Sequence, residues 1–174
     1  MSDIEKFSLW IHDIVGRKPK DIALYSRAVT HGSFGEEDYQ RLEFLGDRVL
    51  GLTIASELYQ RYSNEPEGKL SQRLNGLVSG KFCGEIASSI GVSNHLLLGK
   101  QARDDGARQS AKVLGDVLGA VADAEDGHAT TERGGEECAV ERHLLRSRAA
   151  ATRARPPPGG RVPFGAAMSA RSVA

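Results

Sequence analysis

Cysteine, aromatic side chains, long apolar runs and net charge are all scarce in this sequence, and each shortage argues against a class of protein. Two cysteines, Cys83 and Cys138, occur in 174 residues. They lie far apart and without metal-ligand spacing, which speaks against a disulfide scaffold or a zinc finger. A reducing cytoplasm is the setting that this cysteine usage leads one to expect. No stretch approaches the roughly 18 consecutive apolar residues that a membrane helix needs, so no membrane partner is expected. The opening run Met1-Ser2-Asp3-Ile4-Glu5-Lys6 lacks the basic-then-apolar order of a secretory signal. Lys plus Arg and Asp plus Glu number 23 each, so the formal net charge is zero. Bulk positive charge cannot hold such a chain to nucleic acid, although a local basic face can. What is present, 40% hydrophobic and 26% charged residues, suffices for one globular core and is too little chain for two ordinary domains.

The averages hide a change along the chain. All seven lysines lie at or before Lys112, the last isoleucine is Ile90 and the last tyrosine is Tyr62. From Leu144 onward there are six arginines, eight alanines, four of the six prolines and no acid. Such a segment cannot bury enough apolar surface to offset its ordering entropy. The composition predicts a domain over 1–122, followed by an Ala/Arg/Pro/Gly-rich tail over 123–174 that is disordered from about 146 onward.

The first 122 residues read as one helix after another. Ile4, Phe7, Ile11 and Ile14 recur at helical spacing over 3–15, and Gly16 breaks the pattern. Asp21 is placed to cap a second helix that ends near Gly32. The longest pattern, over 39–62, carries Leu42, Leu45, Val49, Leu52, Ile54 and Leu58, and its many apolar residues predict a helix that is largely buried. A fourth helix is expected over 69–90, then a connector with Leu96-Leu97-Leu98-Gly99, then a fifth helix from about Ser110. No alternation is long enough to argue for a strand, so the expected class is all-α.

Chemistry concentrates on the third helix. Glu43 and Asp47 are four residues apart and so share one face. Two such carboxylates repel unless a cation lies between them, and hard divalent ions such as magnesium take oxygen ligands. On spacing alone, pairing of Glu43 with Arg41, Arg48 or Arg73 is the simpler reading. Lys100, Arg103 and Arg108 are candidates for phosphate contact, with Asp104 and Asp105 partly cancelling them. His31 reads as a hydrogen-bonding loop residue. Phe34, Trp10 and Phe82 read as core or dimer-packing residues, and Cys83 as a small core residue.

The residues around the acidic pair bring a family into view. The run Tyr39-Gln40-Arg41-Leu42-Glu43-Phe44-Leu45-Gly46-Asp47-Arg48-Val49-Leu50 closely resembles the signature helix of the ribonuclease III family. Thr30-His31-Gly32-Ser33, Glu67-Gly68-Lys69-Leu70-Ser71, Leu98-Gly99-Lys100 and Leu114-Gly115-Asp116-Val117 resemble further segments of it, in order. The resemblance covers about residues 3–120. It implies the helical ribonuclease III endonuclease fold and a homodimer. It also implies magnesium-dependent cleavage of double-stranded RNA, as in the processing of rRNA, tRNA and mRNA precursors. Carried over by position, Glu43 is implied to hold metal, Asp47 to complete the catalytic acidic cluster, and Asp116 to serve both as catalytic residue and as metal ligand.

The likeness then breaks. The family has a glutamate three residues after that last aspartate, where this chain has Gly119. A glycine cannot ligate anything. Beyond it only Asp126-Gly127 faintly resembles the family's later turn, and the double-stranded-RNA-binding domain that commonly follows is not recognisable. Two origins fit the break: a reading-frame shift near codon 119, which makes GC-rich sequence read as Ala, Arg and Pro, or a divergent tail. Two functional readings are open as well. One is a magnesium-dependent endoribonuclease domain, and the other a non-catalytic RNA-binding or dimerisation module with a degenerate metal site.

Overall fold

The computed structural model describes residues 1–126. They form α1 (Asp3–Val15), α2 (Ile22–Ala28), α3 (Gln40–Arg61), α4 (Glu67–Leu77), α5 (Gly80–Ser89), α6 (Val92–His95), α7 (Lys100–Asp104), a single 3₁₀ turn (Ala107–Gln109) and α8 (Ala111–Asp126). The fold is all-α, and no strand occurs among the described residues. One isolated pairing of Thr30 with Leu97 ties the loop after α2 to the connector before α7.

Local chemistry sets most boundaries. Ser2 and Glu5 form a reciprocal capping box at α1, with the Ser2 backbone N–H donating to Glu5 Oε2 at 2.6 Å. Gly16, at φ 78°, closes that helix in the left-handed region that glycine adopts freely. The Asp21 carboxylate accepts from the Ala23 and Leu24 N–H groups at 2.9 and 3.3 Å and so caps α2. α1 is docked by Trp10, whose Nε1 donates to the Ile90 carbonyl at 2.8 Å and whose ring stacks on His95.

Two expectations need correction. The helix expected over 69–90 is two helices. The apolar spacing runs on through Leu77 and Val78, but Ser79 takes an extended backbone (φ −65°, ψ 138°) and its hydroxyl accepts from the Phe82 N–H, starting a new helix. Nor is α3 largely buried. Leu42, Gly46, Leu50, Ile54 and Leu58 form one buried line at intervals of four, while Phe44, Leu52 and Tyr59 stand 65%, 74% and 74% exposed on roughly the opposite side.

α8 lies between α3 and α5 and is the axis of the core. Leu114, Val117, Leu118, Ala120, Val121, Ala122, Asp123 and Ala124 are all buried, and a helix apolar nearly all round is one enclosed by its neighbours. It runs to Asp126, across the domain boundary expected at 122. The remainder of the expected tail, 127–174, with Cys138, lies outside the described residues. Contact on both sides of α8 is backbone to backbone. A Cβ at Gly46 of α3 would overlap the Gly119 carbonyl, and one at Gly84 of α5 would overlap the Ala111 carbonyl.

The crossing at Gly46 yields a paired expectation. Gly46→Ala should destabilise the chain by about 1–3 kcal/mol, because one helix must back away from the other. Gly51→Ala, in the same helix but with nothing within 4 Å of its Cβ, should instead gain about 0.5–1 kcal/mol from helix propensity. Urea denaturation of both variants measures the contrast.

Candidate active site

The crossing of α3 on α8 decides where the acidic residues go. Tyr39, Glu43 and Asp47 succeed one another at intervals of four, from the residue that opens α3 through its second turn. Asp116 projects from α8 toward the same place. The Asp116 carboxyl group is near enough to Glu43 to act on it electrostatically, and Asp47 acts on Glu43 as well. Burial, and then Asp116, pushes the Glu43 carboxyl above its ordinary range. Asp47 is likewise raised, first by burial and then by Asp116, with Arg48 and Lys112 pulling the other way. The guanidinium of Arg48 lies over the Phe44 ring, 4.3 Å from its centroid.

One cation reaches into the cluster from α8. Lys112 Nζ stands 2.6 Å from Asp116 Oδ2, and it acts electrostatically on Glu43 and Asp47 as well. As the side chains are arranged, no three His, Cys, Asp or Glu groups among the described residues stand together closely enough to hold a metal ion. The donor chemistry nonetheless suits one. Three carboxylates from two helices share a partly dry surface, and the ammonium already occupies the position of a counter-cation. Oxygen donors of this kind are what hard divalent ions take.

The departure at position 119 is geometrically specific. A Cβ built on Gly119 would sit 2.8 Å from Asp47 Oδ1 and 3.8 Å from its Cγ. A side chain at 119 would therefore enter the carboxylate cluster, and this chain puts none there. Asp123, one turn further along α8, is fully buried and lies against Gly46, with its Cβ 3.3 Å from where a Gly46 Cβ would be.

The geometry also sorts the remaining candidates. Arg103 donates to the Leu98 carbonyl at 3.1 Å, and Arg108 donates to the Ser93 and Leu96 carbonyls. These guanidiniums tie down the connector, although Arg103 itself is exposed, and Lys100 pairs with Asp104 at 3.0 Å. Arg73 is held by Glu65 through two 2.7 Å bonds, so it is no partner for Glu43. His31 Nδ1 bonds Ser33 within its own turn, and its ring meets the edge of Tyr39. Cys83 is buried behind the cluster, where burial, with Asp47 adding, pushes its thiol up to about 11, so it is an inert core residue. Trp10 and Phe82 pack against the core. Phe34 does not; it is half exposed and lines an apolar groove with Ile4, Phe7 and Leu97, and none of the three carboxylates borders that groove.

Tyr39 is the site residue that sequence reasoning passed over. It is nearly buried, and burial, with Asp116, Glu43 and Asp38 adding, holds its phenol above the ordinary tyrosine range. The signal was its position four residues before Glu43.

Comparisons with known proteins give the family. A family model described as Ribonuclease-III-like matches residues 21–131. The chain belongs to the ribonuclease III family. It is 60% identical over 117 residues to ribonuclease 3 of Zymomonas mobilis, which spans 67% of this chain and 48% of that protein. It is 42% identical over 110 residues to ribonuclease 3 of Francisella tularensis subsp. novicida, covering 63% and 47%. The chain thus spans about half the length of the curated relatives it matches. Among solved structures it resembles the nuclease domain of ribonuclease III from Campylobacter jejuni. The TM-score is 0.66 at 27% identity, over 91% of this chain and all of that one. A second structure of that domain, described as showing flexibility in a region involved in dimer formation, gives a TM-score of 0.67 at 26% identity, over 83% of this chain and 95% of that one. No helix among the described residues is long and apolar enough to cross a membrane.

The raised carboxylates of this ribonuclease III domain fix the sign of a pH effect. A carboxyl group whose folded pKa lies above its unfolded value favours the fold when protonated, and that advantage fades as pH rises through the folded value. Glu43→Gln should therefore raise the melting temperature at neutral pH in the presence of a chelator. The gain should shrink as pH falls through the carboxylate range. Thermal melts at a series of pH values check both parts.

Proposed function

We propose that this chain is the nuclease domain of an endoribonuclease that cleaves double-stranded RNA, and that it works as a homodimer with magnesium. The observation that carries the reading is the meeting of Glu43 and Asp47 on α3 with Asp116 on α8. These three carboxylates would hold the ion. A divalent ion in such a site supplies a bound water of lowered pKa and offsets charge that develops on a phosphodiester. The chain's own residues provide the rest. Asp47 and Asp116 set the negative field at the reacting position. The buried Tyr39 stands one turn before Glu43, within electrostatic reach of Glu43 and Asp116.

Gly119 leaves this site one donor short. Loss even of an outer partner of a metal ligand costs about 10–100-fold in affinity or activity, so a missing direct donor should cost at least as much. The same observation favours the second reading, in which the domain persists as a non-catalytic RNA-binding or dimerisation module. Electrophoresis of a labelled duplex at millimolar magnesium separates the two. The chain should cut slowly or not at all, Gly119→Glu should recover part of the activity, and Asp116→Asn should abolish what remains. Equal rates for the chain and for Gly119→Glu would show that the gap does not matter. Failure of both to cut, with duplex still bound, would favour the module. Binding should weaken steeply with salt, as expected where phosphate contacts dominate.

The exposed line of α3 supports the homodimer. Phe44, Leu52 and Tyr59 place three large apolar side chains on one face of a single helix, and apolar residues grouped in this way mark an interaction surface. Leu52→Glu should shift sedimentation toward monomer while leaving the helical circular dichroism signal unchanged.

A further inference from the structure

We propose that the Lys112 ammonium is the built-in counter-cation of the Glu43, Asp47 and Asp116 cluster and competes with a divalent metal for it. This rests on the reading of the cluster as a metal site. Lys112 opens α8 one turn before Asp116, and its Nζ lies 2.6 Å from Asp116 Oδ2. The pair is lopsided: the lysine side chain is 80% exposed, whereas that of Asp116 is 18% exposed. A lysine four residues before an acid is the less favourable order for a helical ion pair, because it sets a cation near the positive end of the helix. The attraction that holds the Lys112 ammonium on the cluster is led by Asp116, with Glu43 and Asp47 adding to it. Lys112 acts on all three of them, across both helices.

A divalent ion meets this arrangement with a cost. It must displace the ammonium from Asp116 or bind beside it against like-charge repulsion. Displacement is feasible, because the lysine has a flexible four-carbon stem that stands in solvent. Lys112 is in this sense a positioning residue. In the absence of metal it holds the Asp116 carboxylate, and it sets the concentration at which metal takes over. Gly119 sharpens the competition. With a side-chain carboxylate missing at 119, one ammonium neutralises a larger share of the remaining charge.

The test uses the full chain with manganese(II) as the probe, and reads free ion by electron paramagnetic resonance. Lys112→Met should bind manganese about three- to tenfold tighter than the unaltered chain, the range expected for removing one exposed charge a few ångströms away. Lys112→Arg should behave like the unaltered chain. Adding Glu43→Ala should remove the gain of Lys112→Met. Because Lys112 is exposed, none of these effects should involve loss of the fold, which circular dichroism checks. Equal binding by the unaltered chain and Lys112→Met overturns the competition. Weaker binding by Lys112→Met overturns it too, and makes Lys112 an organiser of the carboxylates. In both cases metal binding that is lost on Glu43→Ala leaves the metal site itself standing. If no variant binds manganese, the metal reading and the proposal fall together.

Discussion

The approach of α8 to α3 is the constraint on which the molecule depends. The two helices meet where Gly46 faces the Gly119 carbonyl, with no room for a methyl group between them. On the other side of α8, Gly84 permits a similar approach to Ala111. Interaxial distance is set by the side chains at the contact, and glycine gives the shortest. That distance brings a carboxylate on α8 within electrostatic reach of two on α3. A bulkier residue at the crossing would move Asp116 away from Glu43, and the charge cluster would separate into ordinary surface acids.

Close packing and electrostatics work against each other at this point. The contact that builds the core also removes water from one side of three acids, and burial then raises Glu43 and Asp47. Lys112 relieves part of this strain from the solvent side. Gly46 and Gly119 belong to different problems, although they touch. Gly46 is demanded by packing, because its Cβ would meet backbone that cannot give way. A Cβ at Gly119 meets the far end of the Asp47 side chain, which can rotate. The crossing therefore does not require a glycine at 119, and the empty position is a property of the site rather than of the fold.

Much of this was legible in the sequence, for physical reasons that differ by element. α1 and α2 carry strong local signals, a capping box, a capping aspartate and a stop glycine, and they form where those signals lie. The pairing of Glu43 with Asp47 was readable because helical spacing alone fixes it. Their meeting with Asp116 is a tertiary fact, and only the family resemblance pointed to it. The break at Ser79 was missed because apolar periodicity is continuous through it, while a serine hydroxyl ends one helix and begins the next. The two faces of α3 could not be assigned because both are apolar, and only the position of α8 decides which is buried. Arg103 and Arg108 were candidates for phosphate contact or for a solvated loop, because a sequence does not show backbone carbonyls left open by a connector of short helices. Those carbonyls are where the two guanidiniums are used.

The behaviour of α8 beyond position 119 separates what folding asks of this helix from what chemistry asks. The motif likeness read from the sequence stops there, yet the family match runs on to residue 131, the helix continues to Asp126, and Ala120 through Ala124 remain buried. Folding asks for small or apolar residues with good helix propensity in a slot between α3 and α5, and Ala120, Val121, Ala122 and Ala124 satisfy that in many combinations. The site asks for a carboxylate on one stem at one turn, and no combination of neighbours substitutes for it. Cores accept volume-conserving change, whereas a donor set loses a donor outright. A sequence that changes after Asp116 can therefore keep its architecture whatever the change does to the site.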